Sequence, residues 1–158
     1  MRIYNKVFLS LVYKVRELMI NNGYDDNVID AYLNDVDIER IDSWPTIAIT
    51  RGRYTGEDFE LGSYQHKAAY FTIDVFANSK TQRDDITELL YDNLNEANVT
   101  FYDFDVKFPT TVGDYTGITR LGEFYIDNMS GSPIDPPERT NITGENNHAI
   151  LDGIIHYI

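Results

Sequence analysis

Ala69-Tyr70-Phe71-Thr72-Ile73-Asp74-Val75-Phe76-Ala77-Asn78-Ser79-Lys80-Thr81-Gln82-Arg83-Asp84-Asp85-Ile86 contains the change of period on which the fold turns. Across residues 66–77, Phe71, Ile73 and Val75 alternate with Tyr70, Thr72, Asp74 and Phe76, which predicts a strand with one aliphatic and one mixed face. Beyond Asn78 the spacing becomes helical, with Ile86, Leu89, Leu90, Leu94 and Ala97 on one stripe. Ser79 or Thr81 is placed to cap this helix, and Asp84 and Asp85 fall in its first turn against the positive end of the helix dipole. That position accounts for the Asp84-Asp85 pair without a catalytic role.

Toward the N-terminus, residues 2–22 carry Tyr4, Val7, Phe8, Leu11, Val12, Val15, Leu18 and Met19 on one arc about 140° wide at ~100° per residue. Asn21-Asn22-Gly23 ends this helix with residues that tolerate left-handed geometry. Leu9, Tyr13 and Ile20 lie off the main stripe, on a second narrow stripe expected to stay partly wet in a monomer. Asp26 is placed to cap a short helix through Val28, Ile29, Tyr32 and Leu33 within an acidic connection, residues 24–43. From Trp44-Pro45 the period changes, and Thr46-Ile47-Ala48-Ile49-Thr50 reads as a strand. The polar stretch 51–65, with Gly52, Gly56 and Gly62, reads as a protruding loop or hairpin tip.

Toward the C-terminus, Val99 to Phe108, Gly117 to Asp127 and His148 to Ile158 read as strands bounded by turn residues. Residues 128–147, with Ser132-Pro133, Asp135-Pro136-Pro137 and Gly144, exceed ordinary loop length and read as a long irregular arm. Consecutive strands with only two substantial helices predict an α+β fold: one antiparallel or mixed sheet of about five strands, with two main helices packed on one face. A chain of 158 residues without internal repeats is expected to form a single domain over 1–158.

Composition narrows the chemistry. With 26 acidic against 13 basic residues, a formal charge of −13 and a pI near 4.4, most of the surface repels phosphate, so sequence-reading of nucleic acid is not expected. The absence of cysteine excludes disulfides, thiolate metal sites and cysteine catalysis. Val7 to Tyr13 has the apolarity of a signal-peptide core, but Lys14, Arg16 and Glu17 follow at once, and no stretch approaches the ~20 apolar residues of a membrane span. A soluble protein is expected, used in the cell or particle that makes it.

His66, His148 and His156 lack the i, i+4 or short-loop spacing of a metal site and suit cross-strand partners better. Asp35-Val36-Asp37-Ile38-Glu39 resembles the start of a calcium loop but lacks its turn glycine and correctly spaced Glu. No nucleophile elbow, Walker loop or Gly-x-Gly-x-x-Gly cradle is present, so no metal and no cofactor is expected. Tyr102-Asp103-Phe104-Asp105 alternates acids with aromatics, which half-exposed strand alternation explains as well as a carboxylate pair does. The sequons at Asn98, Asn128 and Asn141 carry meaning only after secretion. Twelve tyrosines against one tryptophan suit broad contact surfaces, because Tyr supplies rigid amphipathic area.

Glu60-Leu61-Gly62-Ser63, a polar turn, and then Ala69 through Ile86 resemble the central strand–helix unit of small neck and tail-terminator proteins of tailed bacteriophages. Those proteins share an N-terminal helix, a strand and protruding hairpin, then a strand written roughly apolar-x-Ile-Asp-Val-Phe-Ala running into an x-x-x-Arg-Asp-Asp helix. The resemblance covers about residues 2–95; residues 128–147 have no counterpart in the pattern. It implies a structural virion protein of the tail and neck, without catalysis. Its form would be a hexameric ring that terminates the tail tube and joins it to the head or connector. The implied partners are further copies of the chain, the tail tube protein and connector or adaptor proteins, with no membrane, and DNA passes through the channel without specific binding. A closed ring needs head-to-tail interfaces, for which Leu9, Tyr13 and Ile20 on helix 1 and Arg51, Arg53, Tyr54, Phe59 and Leu61 on the hairpin are the candidates. The alternatives are a small acidic protein-binding module and a carboxylate-dependent hydrolase using Asp103, Asp105 or the histidines.

Overall fold

The computed structural model describes residues 3–30, 44–58, 65–104, 109, 111–136, 138 and 143–157. Helix α1 (Ile3–Asn21) is followed by strands β1 (Val28–Asp30), β2 (Thr46–Asp58) and β3 (Gln65–Phe76), helix α2 (Lys80–Leu94), strands β4 (Ala97–Tyr102) and β5 (Arg120–Ile134), the single turn α3 (Thr143–Asn146), and β6 (His148–Tyr157). The strands form one six-stranded mixed sheet in the order β1-β2-β3-β6-β5-β4. Only β1 and β2 run parallel. The fold is α+β, with α1 and α2 packed on one face of the sheet.

Both helices end as their sequence requires. Gly23, at φ +83°, closes α1 with Gly23 N–H donating to the Ile20 carbonyl at 3.1 Å and Tyr24 N–H to the Met19 carbonyl at 3.0 Å, which are the two bonds of a Schellman motif. At the start of α2 the Ser79 hydroxyl accepts from Gln82 N–H, and the Gln82 side chain accepts from Asn78 N–H at 2.9 Å. One donor that the first turn leaves orphaned, Gln82 N–H, is thus satisfied, and the residue before the cap is tied to the helix.

The core lies between the helices and the inner face of the sheet. Val7, Phe8, Leu11, Val15 and Met19 of α1 and Ile86, Leu90 and Leu94 of α2 meet Ile47, Ile49, Phe71, Ile73, Val75, Phe124, Ile126, Leu151 and Ile155. Each large apolar side chain fully buried there contributes about 1.5–3 kcal/mol. Gly153 leaves room for this packing, since a methyl at its position would lie 2.5 Å from Phe71 Cζ.

Several elements depart from the sequence expectation. Val28 and Ile29 belong to a strand rather than a capped helix, because they pair with Ile47 and Ala48 along the β2 edge. Asp26, the expected cap, instead accepts two hydrogen bonds from Arg16 at 2.7 and 2.5 Å. Tyr32, Leu33 and the Asp35–Glu39 run lie outside the described residues. Of the two forms expected for 51–65, a protruding hairpin or a loop, the described residues have the antiparallel strand arms of a hairpin, as far as Asp58 and again from Gln65, with Arg51 opposite Phe71 and Asp58 opposite Gln65. Backbone pairing carries that polar stretch, and a bulge between Arg51 and Tyr54 absorbs Gly52, where a Cβ would lie 3.0 Å from the Tyr70 carbonyl oxygen.

The long arm at 128–147 begins as strand: β5 continues to Ile134, with Ser130 through Ile134 paired to Asp152 through His148. Asn128, at φ +52°, forms the bulge that lets the strand continue out of alternation. On the other side of the sheet β4 ends at Tyr102, short of the expected Phe108.

Leu9 and Tyr13 are not a wet stripe. Each is 9% exposed and packs with Phe104 in a second cluster that includes Tyr102, Tyr115 and Ile118. Tyr13 stacks on Phe104 at 4.8 Å and Tyr102 on Tyr115 at 4.1 Å. The chain after β4 returns over this side of α1, so a long-range contact takes the place assigned to a subunit.

Candidate interaction face

Among the described residues neither main helix lies over the other side of the sheet, where Thr46, Ala48 and Phe76 are buried at one end and the remaining rows are half-buried or exposed. The strand registers define its rows. Near the hairpin, Ala68 lies opposite His156, which lies opposite Tyr125. The next row is Tyr70, Ile154 and Asp127, followed by Thr50, Thr72, Asp152 and Ser130, and then by Ala48, Asp74, Ile150 and Ser132. The last row is Thr46, Phe76, His148 and Ile134.

Side chains on this face lock one another. His148 Nε2 donates to Asp74 Oδ1 at 2.7 Å and His156 Nε2 to Asp127 Oδ1 at 2.7 Å. Both contacts are diagonal, two residues off the direct cross-strand partner, which is within reach of long side chains. Thr72 Oγ1 donates to Asp152 Oδ1 at 2.8 Å, directly across the pair. His148 also stacks on Phe76 with centroids 4.5 Å apart. Three carboxylates are therefore held by neighbours and spread over the face, while Tyr70, Ile150 and Ile154 are half-buried between them and Tyr125 and Ile134 are exposed. An ordered patchwork of aromatic, aliphatic and paired polar groups suits protein contact, because little side-chain entropy remains to be lost on docking.

The hairpin extends this surface. The β2 bulge turns Arg53 outward, its guanidinium 5.0 Å from the Tyr70 ring centre. It turns Tyr54 the other way, onto Tyr4 of α1 at 4.8 Å, yet Tyr54 remains 63% exposed. Arg51 has an internal role: its side chain is 5% exposed, donates to Asp30 at 2.8 Å and to Asn5 at 2.6 Å, and lies 5.1 Å from the Phe8 ring centre. It clamps α1, β1 and β2 together, so this candidate interface residue belongs to the fold. Ile20 is exposed at the end of α1, apart from the sheet face. Phe59 and Leu61 lie outside the described residues.

Asp103 pairs with Lys6 at 3.3 Å, and Asp105 lies outside the described residues. Among the described residues no group of three or more His, Asp or Glu side chains is placed to hold a metal ion. A concavity of about 500 Å³ beside the start of α2 is lined by Asn78, Lys80, Asp135, Pro136, Thr143 and Asn147, a set with one acid and one base and no nucleophile–base pair. Among the described residues no helix is long and apolar enough to cross a membrane. The residues that matter on the sheet face, Tyr70, Tyr125, Ile150 and Ile154, are not among the interface candidates from sequence. The mixed parity of Tyr70, Thr72 and Asp74 is the signal that points to them, once both helices are known to share the opposite side. A scan against protein-family models gives no match for this chain, and neither does a search of curated proteins.

Proposed function

We propose that this chain is a structural subunit of a tailed-phage neck, a member of a ring that terminates the tail tube and joins it to the head or connector. The laterally locked sheet face opposite α1 and α2 carries the proposal, because its half-buried Tyr70, Ile150 and Ile154 and exposed Tyr125 and Ile134 suit one side of a protein contact. A closed ring pairs two different patches of each subunit. The sheet face, extended by Arg53, supplies one, and the opposite side of the hairpin, where Tyr54 lies on Tyr4 and is 63% exposed, supplies the other. Leu9 and Tyr13, packed against Phe104, leave the interface list, and Arg51 leaves it with them.

The charge of −13 suits a lumen through which DNA slides, since acidic walls repel phosphate and prevent it from adhering. The subunit then acts by shape and contact: its copies close on one another, one rim meets the tube protein, and the other meets connector or adaptor proteins. No step of this role needs a cofactor or a catalytic group, and the place of action is the virion.

Light scattering and negative-stain imaging of the purified protein, alone and mixed with tail tubes, test the proposal. Rings of about six copies, free or on tube ends, are expected from the size class of the resemblance, with Ile154→Lys and Tyr125→Lys preventing closure in a protein that keeps its melting temperature. A wild-type chain that stays monomeric in both samples and leaves tube length unchanged would overturn it.

A further inference from the structure

The sheet has an edge that β4 covers only in part. β4 pairs with β5 over Arg120–Ile126, whereas β5 runs on to Ile134. Among the described residues no strand pairs with the outer side of Ser130–Ile134, and all five of these residues are exposed. The direction of their peptide groups follows from one hydrogen bond: Met129 N–H points away from β6, toward the Asn95 side chain that precedes β4, at 3.3 Å. Strand alternation then turns the N–H and carbonyl of Gly131 outward, with Pro133 on the same side. Pro133 costs the β5–β6 ladder nothing, because the donor it lacks falls on the unpaired side.

This bare stretch borders a groove of about 330 Å³ lined by Asp84, Thr87, Glu88 and Tyr91 of α2 together with Gly131 and Leu151. Gly131 brings the groove down to the core: a Cβ there would lie 2.7 Å from Leu151 Cδ2 and 3.4 Å from Thr87 Cγ2. Edges that avoid pairing usually carry charges pointing along them. Here the edge is Ser130-Gly131-Ser132, uncharged and small, and the charges sit on the rim as Asp84 and Glu88. Arg83, the cation closest to that rim in sequence, is buried and pairs with Asp84 at 2.9 Å and Asp135 at 3.6 Å, so part of the Asp84 charge is already compensated and Glu88 carries more of the attraction for an arriving cation.

We infer that the Met129–Ile134 edge and the α2 groove form a strand-addition site for an extended basic segment of a partner protein, one that carries Lys or Arg, a small aliphatic residue and again Lys or Arg at every second position, on one face of the strand. The segment lies in line with β4. It receives the Gly131 N–H, donates to the Gly131 carbonyl, and turns every second side chain toward α2, an aliphatic one onto Leu151 and Thr87 and the basic ones on either side of it toward Asp84 and Glu88. Backbone pairing supplies the affinity and the acidic rim the selection, as in other strand additions. The site does not require the ring: a monomer presents the same edge.

The probe is a synthetic peptide of about nine residues, within the length of an ordinary strand, with Lys, Val and Lys at successive alternate positions and Ser or Thr between them. It is titrated into the full chain and followed by fluorescence anisotropy and by the amide exchange of Gly131. Saturable binding with protection of the Gly131 amide is expected. A loss of at least tenfold is expected when Lys is replaced by Glu, when alternate peptide nitrogens are methylated, or when Glu88→Lys is introduced on the exposed rim. Binding indifferent to peptide charge and to methylation would overturn strand addition. Protection of Gly131 that grows with protein concentration in the absence of peptide would assign the edge to a second copy of the chain, and overturn the basic partner.

Discussion

At the scale of single residues, buried polar groups separate fold from function. Arg51 and Asp30, with side chains 5% and 9% exposed, form an ion pair that joins β2 to β1 beneath α1. Removing one partner of such a pair leaves a charge with part of its compensation gone. Asp30→Ala is expected to cost about 3 kcal/mol, read as a lower urea midpoint with an unchanged slope, whereas a subunit-interface role for Arg51 would leave the midpoint in place. Tyr157 is 3% exposed, and burial, with smaller contributions from Tyr4 and Tyr54, pushes its hydroxyl up to about 12. Tyr115 shifts the same way, through burial first and then through Glu17. The folded state thus holds these protons more tightly than the unfolded chain, whose tyrosines ionise near pH ~10. Their stabilising contribution is complete below that pH and is lost as pH rises through the folded value of about 12. Urea midpoints are expected to fall between those pH values, and Tyr157→Phe to make the fall smaller; an equal fall in the variant would remove Tyr157 from the account.

At the scale of elements, capping and long-range return decide different things. Ser79 accepts from Gln82 N–H at 3.1 Å, so Ser79→Ala is expected to cost about 1 kcal/mol. Ser10 is buried and joins two elements, donating to the Lys6 carbonyl at 2.8 Å and accepting from Tyr102 N–H at 3.1 Å. That bond fixes α1 beside β4 and seats the Leu9–Tyr13–Phe104 cluster. Leu9→Ala is expected to cost about 2–4 kcal/mol and Leu9→Asp to prevent folding, as circular dichroism would report. A folded Leu9→Asp variant impaired only in assembly would return Leu9 to the interface. The C-terminal strand has the widest reach, because β6 sits between β3 and β5 and joins the two halves of the sheet. Ending the chain after Asn147 is expected to abolish the cooperative transition. A truncated chain that still unfolds sharply would show that the halves fold without it.

At the scale of the whole molecule, charge and architecture act on assembly together. Each copy carries −13, so copies brought into one ring repel one another. If apolar and locked polar groups of the sheet face make the contact, added salt screens the repulsion and is expected to favour the ring. Light scattering across a salt series reads this directly, and rings that dissociate with salt would point to intersubunit ion pairs instead. Placing both main helices on one side is what creates the opportunity, since Tyr70, Tyr125, Ile134, Ile150 and Ile154 of the other side are then left half-buried or exposed.

The change of period at Asn78, the Gly23 stop and the Ser79 cap are local, resting on side-chain spacing and on bonds between residues a few positions apart. The sequence by itself therefore determined the two main helices, the central strand and the α+β class. Backbone pairing is different, because it needs little from side chains: the polar 51–58 and the Pro-containing 128–134 became strand through partners in β3 and β6. The parity of Tyr70, Thr72 and Asp74 was legible, but their place on the face opposite α1 and α2 depended on where α2 packed. Only the tertiary structure decided that Leu9 and Tyr13 are core, because Phe104 and Tyr115 reach them from about a hundred residues away and no local period records that return.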